Sequence, residues 1–145
     1  MKRGVSRSKP QLTIPARFRV VRYNGSCYPG SPGLRGLRRG ANCQHFAYEL
    51  LRHFGFDVPN LRSRELWADR KFSSRVHRLR RLDLVLFNRK RASWGAHVGV
   101  YIGGGKVLHL CKSAGRPQVW TLDEFAARSE YRTLLGAKRF HRASP

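Results

Sequence analysis

Residues 82–110 constrain the fold most. Leu82-Asp83-Leu84-Val85-Leu86-Phe87 is a short apolar run. After a polar turn at 88–95, two more β-rich runs follow at 97–102 and 106–110, joined by Gly103, Gly104 and Gly105. Apolar runs this short, bounded by turn residues, read as strands, and two of them joined by glycines read as a hairpin. A loop with an odd number of residues would set His97 opposite His109, Gly99 opposite Val107 and Tyr101 opposite Gly105. Val98, Val100, Ile102 and Leu108 would then form the core face.

Ahead of these strands the period changes. Phe46, Ala47, Leu50, Leu51 and Phe54 recur at helical spacing, with Asn42 as N-cap and Gly55 as the stop beyond the end. A shorter helix is predicted over 64–69, capped by Ser63. A strand is predicted over 16–23, and a long glycine-rich loop over 24–41. Residues 70–81 are mostly polar and predict no element. Residues 117–120 and 132–140 read as further strands, with a short helix over 122–129 between them. Helices first and antiparallel strands afterwards make the fold class α+β. Residues 1–15 are basic, end in Pro15 and predict a flexible arm before a single domain over 16–145.

The chain has 145 residues with 30 Lys and Arg against 8 Asp and Glu, a net charge of +22. A field of that sign attracts any polyanion, whether a phosphate-bearing polymer, an anionic lipid surface or nucleic acid, and it also serves solubility alone. No apolar run approaches the ~20 residues that cross a bilayer. No secretory leader is visible, so the default expectation is a cytoplasmic location, with action outside the cell open to another export route. The 3 cysteines, Cys27, Cys43 and Cys111, are an odd number without close pairing, which is not a disulfide scaffold.

Cys43 occupies the first turn of the strongest predicted helix. Free N–H groups and the helix dipole there favour a thiolate. It also lies on the apolar stripe, where a small buried thiol is the alternative. His97 and His109 are the histidines that one hairpin could bring together, one holding the other in a chosen tautomer. His45 and His53 share the helix with Cys43 but face elsewhere. The spacings typical of zinc ligands are absent, so neither a metal nor another cofactor is expected.

Asn42-Cys43-Gln44-His45-Phe46, then Asp83-Leu84-Val85-Leu86-Phe87, then the hairpin from His97 to His109 resemble, in that order, the NlpC-type papain-like cysteine peptidases, which are cell-wall hydrolases. The resemblance spans 28–110, with a final strand at 136–140. It implies a papain-like domain with helices packed on an antiparallel sheet of about five or six strands. It also implies Cys43 as nucleophile, His97 as base, His109 as the residue orienting it, and a tyrosine ahead of the Cys as an oxyanion or substrate contact. Tyr28 fits that spacing better than Tyr23. The Asn42-to-Phe46 stretch itself resembles the lecithin retinol acyltransferase group, whose His strands come before the Cys; here Cys43 comes first.

Three functions are therefore expected, in order. The first is a monomeric thiol hydrolase that cleaves peptide or peptidoglycan-like amides through an acyl-thioester. The second is a thiol acyltransferase or lipid esterase. The third, of another class, is a catalytically idle polyanion-binding module.

Overall fold

Helix α1, Cys43–His53, begins where the backbone of Asn42 is extended and its Oδ1 accepts from the His45 N–H at 2.8 Å. That bond satisfies one of the donors a helix start leaves unpaired. Gly55, at a φ of 92°, ends the helix where a residue with a Cβ would be strained. These elements belong to a computed structural model that describes residues 11–142. Two shorter helices follow, α2 at Ser63–Ala68 and α3 at Leu122–Ala126.

Six strands form one antiparallel sheet in the order β1-β6-β2-β3-β4-β5. They are β1 Ser73–Val76, β2 Leu84–Asn88, β3 His97–Gly103, β4 Lys106–Leu110, β5 Pro117–Thr121 and β6 Thr133–Phe140. The expected α+β architecture of helices on an antiparallel sheet is the architecture observed.

Both faces of the central strands are covered. Leu84, Leu86, Val98, Val100, Ile102, Leu108 and Leu110 face α1, whose Phe46, Leu50 and Leu51 complete the main core. Val85, Phe87, Val107 and Cys111 face the other way, under Trp120 and Phe125. Alternate residues of a strand point to opposite faces, so a strand buried on both sides reads as an unbroken apolar run. That is why β2 looks continuous in the sequence. His97 and His109 belong by parity to the second, smaller face.

Three segments differ from expectation. Residues 16–23 are not a strand: Ala16–Phe18 is a 3-10 turn, and only Tyr23 makes an isolated bridge, to Ala41. Burial of Phe18 and Val21, three apart, suits a turn better than alternation does. Within 70–81, Ser73–Val76 is an edge strand, placed by backbone pairing with β6 rather than by apolar side chains. α2 starts one residue early, with Arg62 rather than Ser63 as its N-cap and the Glu65 carboxylate accepting from the Arg62 N–H at 2.8 Å. Of the expected arm, residues 1–10 lie outside the described residues. Beyond them, the Leu12 N–H donates to the Ile102 carbonyl at 2.7 Å, and Ile14 is buried in the main core.

Asp83 ties β2 to β6. Its two oxygens accept from Arg139 Nε and Nη2, each at 2.8 Å, and one also accepts from the Arg80 N–H at 2.7 Å. The β2–β6 register shifts between Leu86 and Phe87, opposite Gly136. A Cβ on Gly136 would lie 2.8 Å from Cη2 of Trp67, and its φ of 145° favours glycine. Gly136→Ala is therefore expected to cost about 1–3 kcal/mol. The urea midpoint reads this directly, and an unchanged midpoint would mean that Trp67 does not hold this bulge.

Candidate active site

The place of Cys43 is set by a glycine. Gly40 has a φ of 93°, and a Cβ there would come 2.7 Å from the Arg22 carbonyl oxygen. Glycine alone lets 40–42 run close beside 22–24. The Ala41 N–H donates to the Arg22 carbonyl at 3.1 Å, and the Asn24 N–H to the Ala41 carbonyl at 2.8 Å. This pairing carries Tyr23 alongside the start of α1. Tyr23, Cys43, His97 and Tyr131 consequently line one cavity of about 320 Å³, with Arg89 and Lys112 also on its wall. Tyr28 does not line it; its ring lies under the Arg62 guanidinium, 4.4 Å from that group.

The two histidines meet, but not as direct opposites. Val100 pairs with Leu108, Tyr101 with Val107 and Gly103 with Lys106, with a register shift between Tyr101 and Gly103. Continued along the strands, this register sets His109 across from Gly99. The expected register was two residues out, which keeps every side chain on its face but changes each partner. His97 Nε2 and His109 Nδ1 then bond diagonally at 2.9 Å, with the rings at 88°. Gly99 makes that diagonal possible, since a Cβ there would lie 3.3 Å from the His109 Cβ and 2.5 Å from Val107 Cγ1. A glycine inside a strand is the sequence signal for such a close approach.

His109 is fully buried in an aromatic box, its centroid 4.1 Å from Trp120 and 4.6 Å from Phe125. Tyr131 covers His97 at 4.6 Å. Burial pushes His97 down to about 3. Burial, then the His97 and Arg128 charges, push His109 down to about 2. Both rings are neutral at pH 7, and each carries a single proton. His109 Nε2 is buried without a hydrogen-bond partner among the described residues.

Cys43 is half-buried, and its electrostatics oppose the expectation of a lowered thiol. Burial pushes it up to about 11, although the backbone amides of Val98, Gln44 and Cys43 itself pull the other way. Desolvation of the charged form outweighs the donors at the helix start. At rest the cavity holds a neutral thiol and a neutral imidazole.

The remaining candidates lie elsewhere. Cys27 and Cys111 are buried free thiols. His45 Nε2 bonds the Gly36 carbonyl at 2.7 Å, securing the glycine-rich loop to α1. His53 pairs with Arg17, and His141 with Ser74. Among the described residues, no three His, Cys, Asp or Glu side chains gather as metal ligands would, and no helix is long and apolar enough to cross a membrane. The sequence ranks Tyr23 behind Tyr28 for this site and does not single out Tyr131, Trp120 or Phe125. No spacing marks them, because each arrives from a separate segment.

A helix-start thiol and a strand histidine bonded to a second histidine, set on an antiparallel sheet, define a papain-like α+β domain. Residues 30–132 match the NlpC/P60 family, and the chain belongs to that family. It is 35% identical over 81 residues to the murein DD-endopeptidase MepS/murein LD-carboxypeptidase of Escherichia coli strain K12, covering 54% of this chain and 40% of that protein. It is 28% identical over 105 residues to the gamma-D-glutamyl-L-lysine dipeptidyl-peptidase of Bacillus subtilis strain 168, covering 69% of this chain and 34% of that protein. The chain thus spans two fifths or less of the length of these relatives. Both are named as peptidases, and the acyltransferase resemblance of the Asn42-to-Phe46 stretch gains no support from them.

Proposed function

We propose that the domain hydrolyses amide bonds of cell-wall peptides, with Cys43 as nucleophile, His97 as base and His109 as the residue that positions it. The observation that carries this reading is the 2.9 Å bond between His97 Nε2 and His109 Nδ1, in a pair whose first member shares a cavity with Cys43. With the His97 proton on Nε2 and donated to His109, Nδ1 of His97 keeps a lone pair to receive the thiol proton. His109 then carries its own proton on Nε2, against the aromatic box.

Because thiol and imidazole are both neutral at rest, proton transfer accompanies attack. The Cys43 S–H bond breaks toward His97 Nδ1 as Sγ bonds the substrate carbonyl carbon. The oxygen of the tetrahedral intermediate is stabilised by the Cys43 backbone N–H, with the Tyr23 hydroxyl in the role expected of Tyr28. The His97 proton passes to the leaving amine, giving an acyl-thioester. Water, deprotonated by His97, releases the acid. No step requires a cofactor. The names of the relatives support murein peptides as substrates and hydrolysis over transfer.

Purified murein stem peptides incubated with the protein and read by mass spectrometry test this. One new amine terminus and one new carboxyl terminus per cut are expected. Intact peptides after prolonged incubation, or transfer of the acyl group to an added amine in place of water, would remove hydrolysis as the activity.

A further inference from the structure

We propose that the concavity lined by Arg17, Arg22, Arg38 and Arg39 binds the phosphate groups of a linear polyanion. The concavity measures about 480 Å³, and Val20, Val21 and Leu37 complete its wall with Gly40. Among the described residues, no carboxylate lines it. No acidic side chain among the described residues pairs with these four guanidiniums, although Arg17 donates to His53 Nδ1 at 2.8 Å; Arg52–Glu49 and Arg139–Asp83 pair elsewhere. The neighbouring concavity around His45 differs in this respect, because its Arg52 is matched by Glu49 on the same wall. Like charges lining one hollow repel one another unless an anion joins them, and a concave wall focuses their field.

The backbone that builds the hollow also builds the catalytic cavity. Arg22 precedes Tyr23, and Arg39 and Gly40 lead into Ala41 and Cys43. The Arg22 carbonyl accepts from Ala41, locking the two segments together. A chain held here lies next to the thiol cavity, yet the binding is independent of the thiol chemistry.

Three features select the ligand. Guanidinium forks take phosphate oxygens two at a time, and four arginines along one hollow suit successive phosphates of a chain. No aromatic ring lines the hollow, so it lacks the stacking surface that single-stranded nucleic acids use. The arginines line a depression rather than a convex face, which suits a narrow chain better than a bilayer. Val20, 65% exposed, and Leu37 offer apolar contact to carbon links between phosphates.

The test is equilibrium binding of a labelled linear poly(glycerol phosphate), followed by anisotropy across a salt series. Three proteins are compared: the full chain, Arg38→Gln/Arg39→Gln, and Arg64→Gln/Arg70→Gln, an exposed pair of equal charge that does not line the hollow. The first double variant is expected to bind roughly tenfold or more weakly, with the log–log salt slope reduced by about 1.4 for two lost contacts. The control pair should change affinity by less than about twofold. Arg22→Gln should weaken binding in the same sense. Equal loss in both double variants would overturn the site in favour of diffuse charge. Selective loss of binding to anionic phospholipid vesicles or to an oligothymidylate, with poly(glycerol phosphate) unaffected, would overturn the assigned ligand.

Discussion

Cys43→Ala is expected to lower peptide turnover by on the order of 10⁴-fold or more, and His97→Ala by a similar factor. In the proposed mechanism each removes one end of a single proton transfer, so the double variant should be no worse than either single one. That non-additivity separates a shared chemical step from two independent structural losses. Both side chains line the cavity rather than filling the main core, so the thermal midpoints should stay close to that of the parent. Initial rates on a murein peptide, measured beside thermal unfolding, decide the matter. More than about a tenth of the parental rate in folded Cys43→Ala would place the nucleophile elsewhere.

Acid should destabilise this protein at a pH where most carboxylates are still ionised. An unfolded histidine takes up its proton near ~6.5. In the folded protein, burial holds His97 down to about 3 and His109 to about 2. The folded values lie below the unfolded ones, so the unfolded chain binds more protons throughout that interval. The stabilising effect of the neutral rings is therefore complete above ~6.5 and is lost as pH falls toward about 3. The limiting slope is about 1.4 kcal/mol per pH unit for each histidine.

His109→Phe should remove one of the two contributions, halving their combined slope between roughly pH 6 and 5. A phenyl ring suits the box of Trp120 and Phe125, and it eliminates the partnerless Nε2. The same variant deprives His97 of its hydrogen-bond partner and should lower turnover. Urea unfolding at several pH values reads the slope, and an unchanged slope would mean that His109 is protonated in the folded state.

The alternation of the 97–110 segment placed both histidines on one face. Because that period is two, an error of two residues left the face assignment intact. The actual partner depended on the tight turn with its register shift at Gly103, which no count of loop residues reveals. The edge strand Ser73–Val76 was invisible for a related reason. Its hydrogen bonds come from β6, whereas its side chains carry almost no apolar pattern.

Local sequence alone settled what short-range physics can settle: the Asn42 cap, the apolar stripe of α1, the stop at Gly55, and the succession of helix and strand periods. Each depends on groups a few residues apart. Three matters at the site were decided only by the tertiary structure. Tyr23 rather than Tyr28 reaches the cavity because 22–24 lies against 40–42 through a glycine that permits close approach. His109 bonds His97 across a strand register set by a turn. The Cys43 thiol is raised to about 11 rather than lowered, because the surrounding protein strips more water from it than the helix start can replace. Desolvation sums over every segment packed around a group, and no stretch of sequence contains that sum.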